Sequence, residues 1–577
     1  MRDRLIERFE SIVRSLLDAA GDEGPVPAFA LETSRTAEHG DFACNVALLL
    51  AKRLGRSPRA IAQEIATGLG GAGGLVERVE VAGPGFVNVW LAGARWRDLL
   101  RHVLEQGPRY GRSEVGRGQR MQVEFVSANP TGPLTLGHGR QAVLGDAIAR
   151  LLEAQGYDVT REYYFNDGGR QMRVLGESVR ARYLEQLGRA APAPESALAN
   201  REESWVLEVG GLPVVFPKDG YQGEYIADLA RELRAEHGDA LVDEPGDGVF
   251  REVAQSRIFG EIRKTLGSLG IAFDVYSSEQ DLYREGRLDA VLSDLRARDL
   301  VYDSEGATWL RATALGQDRD RVLVKSSGEP TYLLPDLAYH REKFRRGFDR
   351  VIDVQGADHK EQFPFVAKGV AALGCPADRL ELVMHQFVTL TRGGTQVKQS
   401  TRRATYVTVD ELLESVGVDV FRFFMVERRA ESHLDFDLDL AEATDWKKNP
   451  AYYVQYAHAR THGIERKARE EGVAMPDAES VDADALVLPE EIEILKKVSE
   501  YPDILARAAA SREPHHVAYY AREVAALWNP YVQDGTRHRV VSDDPALTSA
   551  RLGLALAVRT VLASALSLLG ISAPERM

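Results

Sequence analysis

Residues 127–146 read SANPTGPLTLGHGRQAVLGD, a loop rich in proline and glycine that turns helical, with His138 set between Gly137 and Gly139 where the helix begins. A helix amino terminus at the end of a strand offers unpaired N–H groups and the positive end of its dipole, and together these attract an anion. Two glycines beside it permit close approach by a phosphate or a flat base. His138 adds a donor that can follow charge onto a phosphoryl oxygen. A nucleotide phosphate suits this chemistry; the other reading of the residues is a turn with a packed histidine. The loop contains neither G-x-G-x-x-G nor G-x-x-x-x-G-K-[ST], so it supports neither a dinucleotide site nor a P-loop.

The elements that must hold this loop can be read on either side of it. MQVEFV is a short apolar strand, RQAVLGDAIARLLEAQGY is a helix closed near Gly156, and DVTREYYF is the next strand. Strand, glycine loop, helix and strand make a βαβ unit, which predicts a parallel sheet with its ligand at the carboxyl ends of the strands. VLVKS and RVIDVQG, with LAYHREKFRRG as a helix between them, continue that pattern to about residue 440. The stretch from about 190 to 260 is less regular and reads as an insertion.

Upstream of the hydrophilic bridge GPRYGRSEVGRGQR, residues 1–115 read as an α+β module. It has an amphipathic first helix, two helices in DFACNVALLLAKRLGRSPRAIAQEIATGL split at Gly55 to Pro58, and two strands in VERVEVAGPGFVNVWL. From Asn449, an N-cap followed by Pro450 at the first helical position, the chain reads as helical to its end. The expected division is 1–115, 116–445 and 446–577. A chain of 577 residues exceeds what one core supports and fits several domains.

Composition bounds the rest. With 44% hydrophobic and 28% charged residues the chain has the make-up of a globular protein. No segment reads as membrane-spanning, and the first twenty residues interleave charge with apolar positions rather than forming a signal peptide. Two cysteines, Cys44 and Cys375, build neither a metal site nor a disulfide framework. A reducing, cytoplasmic setting is expected. The net charge of −15 excludes no partner, because nucleic-acid binding needs only a local basic face.

PLTLGHGR resembles the H-x-G-H motif of class I aminoacyl-tRNA synthetases. VEFVSANPTGPLTLGHGR with REYYFNDGGRQM resembles the arginyl family, as do PTYLLPDLAYHREKF, NPAYYVQYAHAR, LGISAPERM, HGDFACNVALLLAK and GPGFVN, in the right order along nearly the whole chain. The resemblance implies an α/β class I catalytic domain with a Rossmann-like parallel sheet, an amino-terminal α+β tRNA-binding module and a carboxyl-terminal all-helical anticodon-binding domain. It further implies ATP-dependent ligation of L-arginine to tRNA(Arg) through an arginyl-adenylate, with magnesium accompanying ATP and no protein-held structural metal. A monomer is expected.

The resemblance also assigns residues. Thr135 replaces the first histidine of H-x-G-H; it keeps a hydroxyl donor but cannot carry positive charge. The second class I motif, K-M-S-K-S, corresponds to KQSTR, with Lys398 and Ser400 present and Thr401 in place of the second lysine. The position just upstream of H-x-G-H where some relatives carry a substitute lysine is Gly132, which leaves Arg402 and Arg403 as the nearest cations for pyrophosphate. Thr135, His138, Lys398, Arg402 and Arg403 are therefore the expected catalytic group, with Gly137, Gly139, Asp358, His359, Lys398 and Ser400 beside ATP.

For the amino acid, a carboxylate pairs with a planar guanidinium through two N–H groups at once. Asp336 and Tyr332, four residues apart, share one helical face if 332–336 is a turn; Gln355 is a third contact. Glu124 and Asn129 correspond to contacts with the α-amino and carboxylate ends. For tRNA, Tyr452, Tyr453, Tyr456, His458 and Arg460 combine aromatic stacking with phosphate contact; the other reading is a helix core with a solvated cationic face. Two rivals follow from the departures and from the fold: a catalytically weakened tRNA-binding paralogue, and a small-molecule nucleotidyltransferase with no use for residues 449–577.

Overall fold

The computed structural model describes residues 2–34, 37–70, 74–199, 205–397 and 407–577. Its centre is a five-stranded sheet whose neighbours are all parallel. In chain order the elements that build it are strand β1 (Arg120–Glu124), helix α1 (Leu136–Ala154), β2 (Asp158–Phe165), β3 (Val275–Ser278), helix α2 (Leu333–Arg345), β4 (Arg350–Gly356) and β5 (Leu380–His385). Helices α3 (Val418–Val426) and α4 (Pro450–Glu470) follow. The spatial order is β5-β4-β1-β2-β3, so the chain leaves β1 in one direction and returns through β4 on its other side. That reversal opens a crevice beyond the carboxyl ends of β1 and β4, where parallel sheets bind ligands.

The βαβ unit forms where the periodicity placed it. β1 is buried from Met121 to Glu124, as a strand covered on both faces must be. α1 is buried along most of its length because β1, β2 and α3 surround it.

Three local expectations need correction. VLVKS does not join the parallel sheet; Arg321–Val324 forms the edge of a separate antiparallel sheet with Val301–Ser304 and Ala307–Leu310. A strand's sequence does not name its partner. DFAC is not helical, since Phe42–Cys44 pairs with Leu31–Thr33 and Phe86–Leu91, and helix begins only at Val46. The irregular stretch holds long helices, Glu224–His237 and Arg251–Ser268, within the crossover from β2 to β3.

The carboxyl-terminal region is helical as expected, and Asn449 caps α4 by accepting from the Ala451 amide at 3.1 Å. Helix Pro545–Leu568 is long and apolar enough to span a bilayer, contrary to the expectation that no segment would be, but 67% of its most apolar window is packed inside the fold. Arg422 on α3 is fully buried and joins three regions. It pairs with Asp146 of α1 and donates to the carbonyls of Leu269 at 2.8 Å and Leu569 at 2.9 Å.

Candidate active site

β1 ends in an abrupt turn. Val126 and Ser127 both have positive φ, 68° and 40°, a conformation costly for a β-branched residue. The turn is held by Ser127 Oγ, which donates to Glu124 Oε1 at 2.8 Å and accepts from the Tyr164 amide at 3.0 Å. Tyr163 OH donates to the Ala128 carbonyl at 2.7 Å. The chain is thereby turned across the strand ends and delivered to the start of α1.

At that start Thr135 is the N-cap, and its amide donates to His138 Nδ1 at 3.2 Å. Because Nδ1 accepts, the ring carries its proton on Nε2 and presents an N–H. Burial pushes the His138 pKa down to about 4, against the pull of Asp358, so the donor is neutral. His138 thus caps the helix and carries a neutral N–H donor rather than a cation. Gly137 faces open space; a Cβ there would come no nearer than 3.8 Å, to Thr135 Oγ1. Gly139 does not. A Cβ at 139 would meet Phe421 at 2.7 Å and Val409 at 3.0 Å, so this glycine serves packing under α3 and not ligand approach.

Asp358 and His359 are exposed just beyond β4, with His359 Nε2 3.7 Å from Asp358 Oδ2. Lys398, Ser400, Thr401, Arg402 and Arg403 lie outside the described residues. Chain on either side of them is described, and on the far side the Val409 amide bonds the Leu134 carbonyl at 2.9 Å, next to the start of α1.

On the other side of the crevice, α2 begins at Leu333 after Tyr332, and the Asp336 amide bonds the Tyr332 carbonyl at 3.2 Å, so 332–336 is the expected turn. Tyr332 is 61% exposed; Asp336 is half-buried and accepts from Gln362 Nε2. Burial raises the Asp336 carboxyl to about 6, opposed by His340 and Gln362 and reinforced by Glu124. Gln355, half-buried, pairs in register with Met384 near the end of β4, and Asn129 accepts no helix role but donates to Gln171 Oε1. Glu124 is buried and already holds Ser127 and Lys343.

Two residues at this site carried no sequence signal beyond their position at strand ends. Glu279, directly after β3, is 5% exposed, accepts from Tyr164 OH at 2.9 Å, and is raised to about 7, by burial first and then by Asp336 and Asp167. His385, the last residue of β5, is buried with Nδ1 3.3 Å from the Gln386 carbonyl, while Nε2 has no partner among the described residues. Burial, with Arg140 and His138 nearby, lowers its pKa to about 4.

The RNA-facing reading of α4 needs revision at two positions. His458 is 3% exposed with Nδ1 2.9 Å from the Pro574 carbonyl, and Arg460 donates to the Asn529 carbonyl at 3.0 Å. Both hold the helical region together. Tyr453 and Tyr456 are half-buried and stack on Trp446, at 5.9 Å and 4.0 Å between ring centroids, and Tyr452 is half-buried.

A parallel sheet with a switch-point crevice, a capped helix start on one side and a carboxylate pocket on the other defines a class I synthetase catalytic domain. Residues 99–429 match the family model described as tRNA synthetases class I (R), catalytic domain. Residues 5–91 match the arginyl tRNA synthetase N terminal domain, and residues 454–577 match the DALR anticodon binding domain. The arginine–tRNA ligase of Desulfotalea psychrophila is 47% identical over 95% of this chain and 95% of its own length. That of Salinibacter ruber is 47% identical over 98% and 99%. The Thermus thermophilus arginyl-tRNA synthetase structure superposes with a TM-score of 0.73 at 25% identity, covering 100% of both chains. The chain belongs to the arginyl-tRNA synthetase family.

Proposed function

We propose that the chain ligates L-arginine to tRNA(Arg) in two steps, through an arginyl-adenylate made from ATP. The observation that carries this reading is the pair of carboxylates, Asp336 in the first turn of α2 and Glu279 directly after β3, which lie near enough for Asp336 to raise Glu279 and which receive only neutral donors among the described residues, such as those of Gln362 and Tyr164. A planar guanidinium satisfies them, and a neutral side chain leaves them unpaired. Tyr332 and Gln355 flank the guanidinium, while Glu124 and Asn129 take the amino-acid end.

The first step is attack of the arginine carboxylate on the ATP α-phosphorus, with pyrophosphate leaving alongside magnesium, which arrives with the nucleotide as substrate. The protein contributes position and charge stabilisation. His138 donates through Nε2, and Gly137 beside it leaves room for close approach of the nucleotide. Thr135 supplies a hydroxyl, Asp358 and His359 flank the nucleoside, and Lys398, Ser400, Arg402 and Arg403 take the phosphates. Gly139 supports the nucleotide only through packing. In the second step a terminal ribose hydroxyl of tRNA accepts the arginyl group.

The division 1–115, 116–445 and 446–577 assigns tRNA contact to the first and last parts, with Tyr452, Tyr453 and Tyr456 on the anticodon side. The chain works as a monomer in the cytoplasm, away from any membrane; light scattering at the chain mass of 63.8 kDa checks the first. The family relationship does not favour the non-charging paralogue. ATP–pyrophosphate exchange with each standard amino acid, with and without tRNA, tests the function. Exchange confined to arginine and dependent on tRNA is expected, and exchange with another amino acid overturns the reading.

A further inference from the structure

One turn beyond Asp336, helix α2 carries a second set of charges that the arginine contacts do not account for. Lys343 is fully buried. Its Nζ donates to Glu124 on β1 and to Asp353 Oδ1 on β4 at 2.7 Å. His340, 4% exposed, lies with Nδ1 2.7 Å from the Asp336 carbonyl and Nε2 2.7 Å from Asp353 Oδ2. A carbonyl and an ionised carboxylate only accept, so both ring nitrogens carry protons and His340 is an imidazolium.

The surroundings sustain that charge. Burial and Lys343 act to lower the His340 pKa, but Asp353 and Asp336 outweigh them and raise it above its ordinary value. Asp353 is held low by Lys343 and His340 against its burial. Beneath them Glu162, also buried, accepts from Tyr339 OH at 2.9 Å, Arg346 Nη2 at 2.8 Å and Gln122 Nε2 at 2.7 Å. Lys343, His340 and Arg346 face Glu124, Asp353 and Glu162, and the cluster balances electrically only with His340 charged.

We propose that His340, Lys343 and Asp353 form a positioning relay that fixes Glu124 and Asp336, the carboxylates at the two ends of the bound amino acid, relative to each other. The proposal rests on the arginine-binding reading and extends it to residues that touch no substrate. His340 ties the first turn of α2, which bears Asp336, to β4; Lys343 ties β1, which bears Glu124, to the same aspartate. Asp353 is the shared anchor. Buried ion pairs add little net stability over apolar packing of the same volume, so stability does not explain a cluster that spans three elements under one pocket. Geometry does, because a displacement of about 1 Å in a reacting group can cost about 10²-fold in rate.

The test uses the full chain with tRNA and ATP, measuring pyrophosphate exchange while arginine and ATP are titrated separately. Lys343→Met is expected to raise KM for arginine by about 10- to 100-fold, with KM for ATP within about twofold. In the background of Glu124→Gln the same substitution adds little further loss, because its effect passes through Glu124. Asp353→Asn, a change of one atom, and His340→Gln act in the same direction and keep the test open if Lys343→Met does not fold. The charged groups facing His340 are Asp336 and Lys343 on its own helix and Asp353 on β4. KM for arginine should therefore rise with pH as His340 loses its proton, and His340→Gln should flatten that rise. Unchanged KM for arginine in folded variants, or equal losses for arginine and ATP, overturns the relay alone. Absence of arginine-dependent exchange in the parent chain overturns the arginine reading and the relay with it.

Discussion

At the end of the crevice proposed for the nucleotide, burial outweighs the pull of the exposed Asp358 and holds His138 and His385 near 4. At the amino-acid end, His340 is as deeply buried but lies between Asp353 and Asp336, and its pKa is raised. One residue type takes opposite charge states at two ends of one site because desolvation acts on both, and the exposed Asp358 does not offset it at one end whereas Asp353, bonded to His340, and Asp336 do at the other. The difference fits the substrates. Neutral donors can stabilise charge as it develops on a phosphate without attracting every anion, whereas a cationic side chain needs fixed negative charge already in place.

The largest way to break the contrast is to remove its negative half. Asp336→Ala removes one of the two carboxylates proposed to pair with the guanidinium, and kcat/KM for arginine in the exchange reaction should fall on the order of 10⁴-fold, the scale at which polar pockets reject mismatched ligands. KM for ATP should stay near that of the parent. At the other end, His138→Ala removes one preorganised donor. It should lower kcat by about 10²- to 10³-fold with KM for arginine nearly unchanged. If either variant moved both substrates equally, the two ends would not be the separate devices described.

The difference between the ends also marks what could be read from sequence. The βαβ unit, the Asn449 cap and the Tyr332–Asp336 turn follow from local rules of periodicity, capping and helical spacing, and these appear as expected. Glu279 and His385 are single residues at the ends of β3 and β5, and only the assembled sheet makes them neighbours of Asp336 and His138. The turn at Val126 was illegible for another reason, since a β-branched residue argues against positive φ. His458 was read as facing RNA because aromatic and basic residues interleave along α4. The tail near Pro574, more than one hundred residues away, covers it.

Titration sharpens the contrast at an intermediate size. Asp336, raised to about 6, binds a proton in the folded free protein between its ordinary value of 3.8 and 6, and arginine must displace that proton. KM for arginine should begin to rise as pH falls through about 7, where Glu279 takes up a proton, and rise more steeply below about 6, where Asp336 does the same. The sign for stability follows: a raised carboxyl stabilises the free fold at low pH and loses that contribution as pH rises through about 6. Arginine restores it. The thermal shift produced by arginine should accordingly be larger at pH 7.5 than at pH 5, and an equal shift at the two pH values would mean that Asp336 is ionised throughout.

The smallest effect separates the two glycines that flank His138. Both were expected to admit a ligand, but only Gly137 faces open space. Gly139→Ala must displace Phe421 or Val409, an overpacking that costs about 1–3 kcal/mol and lowers the urea midpoint. Gly137→Ala replaces a glycine inside the first turn of α1 and should be neutral or gain up to about 1 kcal/mol from helix propensity. Its methyl group instead occupies the approach to the helix start, so KM for ATP should rise while stability does not fall. A loss of stability at Gly137→Ala with unchanged KM for ATP would show that the open face at 137 is not where the nucleotide lies.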